Sequence, residues 1–403
     1  MKLRNQLLAL FCMLVFAAFG FLYVRTWVVQ KPFGIILFIS DGLVAEHLAA
    51  ARLYQGGAEQ RLAIESFPNL ALVRNAARDF AVPDDAAVGT ALATGVKVGH
   101  RNISMDAGGK PLMTILDLAR GRGRAVGLVS TGNLASAVPA AFYAHSTDSR
   151  DRQGIAAQLG GSGKLDVVLA GGAGDFTPEA REGRRQDGRD LIAELQGAGW
   201  EIVRSKAELA NAAAYRTAGI AGFFSGDQLA FSNQIESGSQ QPSLSDMVRR
   251  AIQFLQVHGQ GYVLVVDASL ATTAAERNEG ERVITETLAL DHAIKTAMDY
   301  AGDKSLIVAV GKHATGGMSL NGYPLVQDHG VALLGVNASG EPAITWATGP
   351  NGPASKTEPA AFQTPSALNT AEDVVAIGRG DGSAAIRAFI DETAIFGILK
   401  DAL

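Results

Sequence analysis

Five short apolar runs recur along the chain, at Gly34–Ile39, Ala125–Ser130, Leu165–Ala170, Gly261–Val266 and Ser305–Val310, bounded by Gly, Asp, Lys or Ser. Runs of this length, rich in β-branched residues and without polar alternation, read as parallel strands buried on both faces. Between them, spaced apolar positions predict amphipathic helices over Thr114–Arg120, Ser243–His258 and Glu281–Ala301. The alternation predicts an α/β fold with an open, mostly parallel central sheet and helices on both faces. Its site is then expected beyond the carboxyl ends of the strands.

The first residues follow another pattern. Lys2 and Arg4 precede an almost uninterrupted apolar stretch over 7–24, which Arg25 closes. About 18 apolar residues can cross a bilayer and are long for the apolar part of a cleaved signal. The expected organisation is a cytoplasmic N-terminus at 1–6, a transmembrane signal anchor at 7–24, a linker at 25–32 and a globular domain at 33–403. The leading basic residues favour an N-terminus-in orientation, an asymmetry that Arg25 and Lys31 blunt. A single-pass protein of a bacterial-type inner membrane follows, with its body in the periplasm or outside. Ala17, Ala18 and Gly20 keep the alternative of a cleaved signal open, and they also offer a small-residue face to a partner helix. Cys12 is the sole cysteine, so no intrachain disulfide forms, and it reads as an apolar membrane residue rather than a lipidation site.

Composition narrows the function classes. The 403 residues suffice for a sizeable core in one large α/β domain or two smaller ones, and 46 glycines suit many tight strand-to-helix turns. A net charge of −5 supplies no basic footprint for nucleic acid, which is excluded as a partner.

The candidate chemistry starts from Pro83, Asp84, Asp85, Ala86, Ala87 followed by Thr90, Ala91, Thr94, Gly95, Val96 and Lys97. This run resembles the nucleophile motif of the alkaline phosphatase family, T-D-S-A-A-x-x-T-A-x-x-T-G-V-K. Five further segments carry the resemblance: GIILFISDGL from Gly34, VSTGNLASAVPAAFYAHSTDSR from Val129, VLVVDASLATTAAERNE from Val263, LIVAVGKHATGGMSL from Leu306 and NTAEDVVAIGRG from Asn369. The similarity extends from Phe33 to Leu403, and it implies the family's fold together with a site of two zinc ions, one magnesium ion and a serine nucleophile.

Carried over position by position, the resemblance places Asp85 where the family has its serine. A carboxylate there cannot form a phosphoseryl ester, and it repels a phosphate unless a cation offsets it. Asp41 matches the aspartate that bridges zinc and magnesium, and His313 matches a zinc ligand. Asp267 stands for the magnesium-ligating glutamate. Lost ligand positions are Val138 for the magnesium threonine, Thr272 and Glu276 for a zinc aspartate and histidine, Lys312 for a zinc aspartate and Asn369 for the last zinc histidine. Ser136 stands where members commonly carry a histidine or another polar residue. Arg150 matches the arginine that grips substrate phosphate, with pairing to Asp148, Asp84 or Asp85 as its alternative.

A protonated ammonium is a donor and never a metal ligand. The expected cofactor state is therefore none, the two-zinc site is expected to be absent, and a single Mg or Ca at Asp41 and Asp267 is the alternative. Lys312 is expected among Asp41, Asp84 and Asp85 as a replacement cation; the competing reading turns it to solvent. His47, His100, His145, His258, His292 and His329 fall on no family ligand position and read as structural or surface residues.

Three functions fit this pattern. The first is a catalytically degenerate, membrane-anchored homologue acting as a binding, scaffold or accessory subunit of a membrane complex. The second is a metal-dependent phosphoric ester hydrolase with Asp85 in place of serine. The third is a receptor for an anion or small ligand through Asp85, Arg150 and Lys312. The membrane-protein partner has no name in the sequence, and a homodimer is compatible with the family's habit.

Overall fold

The computed structural model describes residues 2–27, 31–161, 165–213, 219–321, 334–337 and 339–403. His329 lies outside these residues. A helix spans Lys2–Trp27, and over Leu3–Gly20 it is long and apolar enough to cross a membrane, with none of that stretch buried against the body. The predicted span 7–24 thus lies inside a longer helix. Its polar ends remain helical because Lys, Arg and Gln are good helix formers, whatever the bilayer accepts.

Thirteen strands follow among the described residues: β1 Gly34–Ser40, β2 Asn69–Arg74, β3 Ala125–Asn133, β4 Val167–Gly171, β5 Glu201–Val203, β6 Ile220–Phe223, β7 Tyr262–Ala268, β8 Leu306–Gly311, β9 Met318–Leu320, β10 Ile344–Gly349, β11 Ala360–Gln363, β12 Val374–Arg379 and β13 Ala388–Asp391. Ten form one sheet in the order β13-β2-β12-β8-β1-β7-β3-β4-β6-β5, and β11-β10-β9 form a small second one. β1 lies between β7 and β8, parallel to both, with Gly34 opposite Tyr262 and Ile35 opposite Leu306. Every residue of β1, β7 and β8 is buried, which explains their unbroken apolar runs. The exception to parallel order is β12, antiparallel to both β8 and β2.

Alternate residues of the sheet feed two cores. Ile36, Phe38, Leu264 and Val266 pack on one face with the helices Leu244–Leu255 and Gly280–Tyr300. Ile35, Leu37, Val265 and Val308 pack on the other with the helices Asp85–Thr94, Ile115–Gly121 and Glu392–Asp401. Two predicted helix starts, Thr114 and Ser243, are N-caps. Each closes a capping box, with Asp117 and Asp246 respectively, which satisfies backbone donors of the first turn.

One acid of the helix Gly280–Tyr300 is buried in the core. Glu286 accepts a 2.6 Å hydrogen bond from the Ser232 backbone N–H, and burial pushes its carboxyl up to about 7 from an ordinary value of 4.5. A carboxyl with a raised folded pKa opposes folding once ionised. Stability is therefore expected to fall as pH rises from about 4.5 to about 7, by roughly 2 to 3 kcal/mol for this group. Glu286→Gln keeps an oxygen for the Ser232 donor, so urea denaturation of the variant at pH 5 and pH 8 should show a flattened profile. An unchanged profile would mean that Glu286 is not the group responsible.

Candidate functional site

The ends of three adjacent strands converge with one helix start. β1 delivers Asp41 through a Gly42 turn with φ +54°, a left-handed conformation, and a Cβ at Gly42 would collide with the His47 ring. Asp41 is buried, and Thr315 engages both its oxygens: the backbone N–H donates to Oδ1 at 3.0 Å and the hydroxyl to Oδ2 at 2.6 Å. Beyond β8, Lys312 and His313 are each 1% exposed. That burial overturns the solvent-facing alternative for Lys312.

Asp84 and Asp85 part company at the start of the helix Asp85–Thr94. Asp84 is its N-cap, accepting from the Ala87 backbone N–H at 2.9 Å and from the Arg101 N–H at 2.7 Å. The expectation that Asp84 pairs with Lys312 is therefore corrected: one free backbone donor of the helix start and the Arg101 N–H claim its oxygens. Asp85, the first residue of the helix, presents a side chain 40% exposed. The Lys312 ammonium and the His313 Nε2, the latter at 2.7 Å, both meet its Oδ1. Burial opposes ionisation of Asp85, but these two partners outweigh it and hold the carboxyl far below the ordinary carboxylate range. Burial likewise pulls the Lys312 pKa down; the charges of Asp85, Asp41 and Asp267 more than reverse this, and the net shift is upward.

Asp267, at the end of β7, is fully buried. Its Oδ2 accepts from the hydroxyls of Ser130, at 2.7 Å, and Ser269, while its Oδ1 has no hydrogen-bond partner among the described residues. Burial pushes this carboxyl up. Thr272, whose buried hydroxyl is also unpartnered, and Glu276 lie on the helix Leu270–Glu276. The Thr315 hydroxyl, whose hydrogen goes to Asp41, lies 3.1 Å from the Asn369 side-chain oxygen, and Asn369 donates to the Pro83 carbonyl at 3.0 Å. Val138 is buried in apolar surroundings.

Asp85, Arg150, Arg152, Thr272, Glu276 and Asn369 line a cleft of about 410 Å³. Arg150 is at its rim, with its side chain 70% exposed and folded onto Asp148 through contacts of 3.0 and 3.1 Å. Of the alternatives for Arg150, the structure holds the Asp148 pair.

Sequence reasoning missed several residues here. Thr315 joins Asp41 to Asn369, Ser130 and Ser269 hold Asp267, and Arg152 reaches Asp227 at 3.4 Å. Asn133 donates to both Asp175, at 2.6 Å, and Asp227, at 2.8 Å. The signal for Thr315 was its place two residues after a ligand position; Asp175 and Asp227 had none. The described histidines outside the site keep structural or peripheral places: His47 is buried beneath the Gly42 turn, His100 stacks on Phe80 with centroids 4.4 Å apart, His145 contacts the Ser104 carbonyl at 2.9 Å, His292 lies 3.4 Å from Gln55 and His258 is exposed.

The arrangement of these motifs at the strand ends agrees with the family model for alkaline phosphatase, which matches residues 34–403. The chain belongs to the alkaline phosphatase family. It is similar to alkaline phosphatase 4 of Bacillus subtilis (strain 168), with 33% identity over 249 residues, covering 60% of this chain and 51% of that protein. It is also similar to the membrane-bound alkaline phosphatase of Bombyx mori, with 28% identity over 338 residues, covering 72% of this chain and 61% of that one. The chain spans about half the length of the two B. subtilis relatives it matches, 51% and 50%. Among solved structures, the alkaline phosphatase of Thermus thermophilus superposes with a TM-score of 0.76 at 22% identity, covering 94% of each chain. That of the Antarctic bacterium TAB5 does so with 0.73 at 22%, covering 92% of this chain and 98% of that one. At such identities the superpositions establish the alkaline phosphatase fold, with its mostly parallel sheet.

Proposed function

We propose that this alkaline phosphatase homologue is a membrane-anchored pseudoenzyme, whose cleft has lost metal-dependent ester hydrolysis and whose body serves as a binding or accessory subunit of a membrane complex. The observation that carries this reading is the buried Lys312 ammonium against Asp85. The family's site needs a hydroxyl nucleophile between cations, and here the pocket carries a fixed carboxylate already neutralised by an internal cation. Two-zinc chemistry does not fit the residues present. Thr272 and Asn369 are weak ligands, Lys312 stands on a ligand position as an ammonium that repels a second cation, and Asp41 and His313 alone do not make a zinc site.

Membrane attachment rests on the helix Lys2–Trp27, which serves as a signal anchor with the body on the far side of an inner membrane. A partner then meets the protein through that helix or through the body. The phosphate-gripping role has little support at Arg150, which is committed to Asp148.

One observation favours a second reading, the hydrolase built on a single hard cation. The unpartnered Asp267 Oδ1 is an oxygen of the kind Mg or Ca takes. Mg keeps several waters and takes one or two carboxylates, so this reading needs Asp267 and Asp41 to share one ion beside the Lys312 ammonium, which repels it.

The deciding experiment measures metal content and phosphomonoesterase turnover on protein never exposed to chelator, with Asp85→Ser and Asp85→Asn alongside. The expected result is substoichiometric metal and no turnover in any form. Stoichiometric metal with turnover abolished by Asp85→Asn would replace the pseudoenzyme with the single-cation hydrolase.

A further inference from the structure

The two ends of the sheet differ in charge. The cleft occupies the end where the parallel strands finish. At the opposite end, Lys31 precedes β1, Arg122 precedes β3 and Lys304 precedes β8, while Arg379 ends the antiparallel β12 and Arg387 precedes β13. The register brings these points together, since Tyr262 is opposite both Gly34 and Ala125, and Arg379 is opposite Ile307. The Asp381 backbone N–H also donates to the Lys304 carbonyl at 3.0 Å, which ties the turn after β12 to the turn before β8. All but Arg379 are exposed, and none of the five forms an ion pair among the described residues. Asp303 and Asp381 are the exposed acids beside them, and the neighbouring Lys400 and Asp401 offset each other. This pole is thus net positive in a chain whose net charge is −5.

The same pole is where the chain arrives from the apolar helix. Between Trp27 and Gly34 stand residues 28–33, which reach at most about 20 to 25 Å when fully extended. A body on so short a tether keeps its basic pole near the bilayer surface, where it can come within a Debye length of whatever anionic headgroups the facing leaflet carries.

We propose that this basic pole docks on the anionic headgroup layer of the bilayer that holds the helix. The inference rests on the anchor reading above and extends it. Docking orients the body: the seven-residue β1 stands between membrane and cleft, so the cleft opens roughly 20 Å or more from the headgroups, facing water.

The test uses the full chain with Cys12→Ala and one new cysteine carrying an environment-sensitive fluorophore. Gly259→Cys lies in the exposed turn before β7, where an added Cβ meets nothing within 4 Å. The exposed Ala371→Cys, near the start of β12, reports on the opposite pole. Each protein is reconstituted into vesicles of pure phosphatidylcholine or of phosphatidylcholine with phosphatidylglycerol, both containing a headgroup quencher. Expected is strong quenching at 259 with phosphatidylglycerol, little without it, and little at 371 in either case. Half-molar salt and the triple variant Arg122→Glu, Lys304→Glu, Arg387→Glu should both relieve the quenching, with each charge contributing roughly fivefold to the docked-to-undocked ratio. Equal quenching in the two lipids, or a triple variant as quenched as its parent, overturns the docking while leaving the anchor intact. Failure to float with vesicles of either composition overturns both.

Discussion

Lys312→Met is expected to destabilise the body by about 3 kcal/mol, the lower end of what breaking a buried ion pair costs, because Asp85 keeps an open edge to solvent. The methionine fills the volume but leaves the charges of Asp85, Asp41 and Asp267 facing one another without their cation. Asp85→Asn in the same chain should recover most of the loss, since it removes the carboxylate that lies directly on the ammonium. The pH dependence gives a second readout. In the parent, the depressed Asp85 pKa contributes stability that is present above its ordinary value near 3.8 and lost only as pH falls below it. The raised Lys312 pKa contributes stability that persists below its ordinary value near 10.5 and disappears as pH rises through its folded value. The pair is therefore at full strength across neutral pH. In Lys312→Met the carboxylates around the lost cation bind protons more readily when folded than when unfolded, so acidification toward pH 5 should stabilise the variant by more than the gain that Glu286 gives the parent. Urea midpoints at pH 5 and 8 decide this. A variant as stable as its parent at pH 8 would show that the carboxylates do not need this cation.

Returning five positions to the family's residue types, Asp85→Ser, Thr272→Asp, Glu276→His, Lys312→Asp and Asn369→His, is expected to raise bound zinc from none to roughly two ions per chain. The expectation follows from where these side chains start. Four of them lie just past β8 or on the helices Asp85–Thr94 and Leu270–Glu276, whose backbones are fixed by the two cores rather than by the site. Loss of metal binding would then be a local substitution on a retained frame. Zinc measured by mass spectrometry after dialysis checks the first part, and turnover of a phosphate monoester checks the second. A variant that folds and binds no zinc would mean that the frame has moved as well as its side chains.

The strands next to the site were legible because each is buried on both faces, so its sequence is apolar without interruption. β2, β12 and β13 were not. β2 alternates exposed and buried residues over NLALVR, β13 is four residues long, and both owe their place to pairing with distant partners. The cluster of Asp41, Asp85, Lys312 and His313 was legible through spacing and resemblance, because short motifs at strand ends leave their side chains little choice of direction. Asp84 was misjudged for a physical reason: a residue one place before a helix answers first to the unbonded N–H groups of its first turn. For Arg150 the sequence left pairing with Asp148, Asp84 or Asp85 open, and a flexible side chain at a rim takes the acid two residues away. Asp175 and Asp227 could not be read at all, because β4 and the turn after β6 meet only in the folded sheet.

The central place of β1 has a consequence for biogenesis. It is the first strand to be synthesised, yet its neighbours are residues 262–268 and 306–311, in the last 40% of the chain. At ordinary elongation rates roughly 15 to 55 s separate the emergence of β1 from that of β8, and through that interval an apolar strand waits beside a bilayer without either partner. Local order cannot rescue it, because no hairpin is available and closing so long a loop precedes any gain from pairing. Assembly of the sheet around β1 therefore waits for the last quarter of the chain.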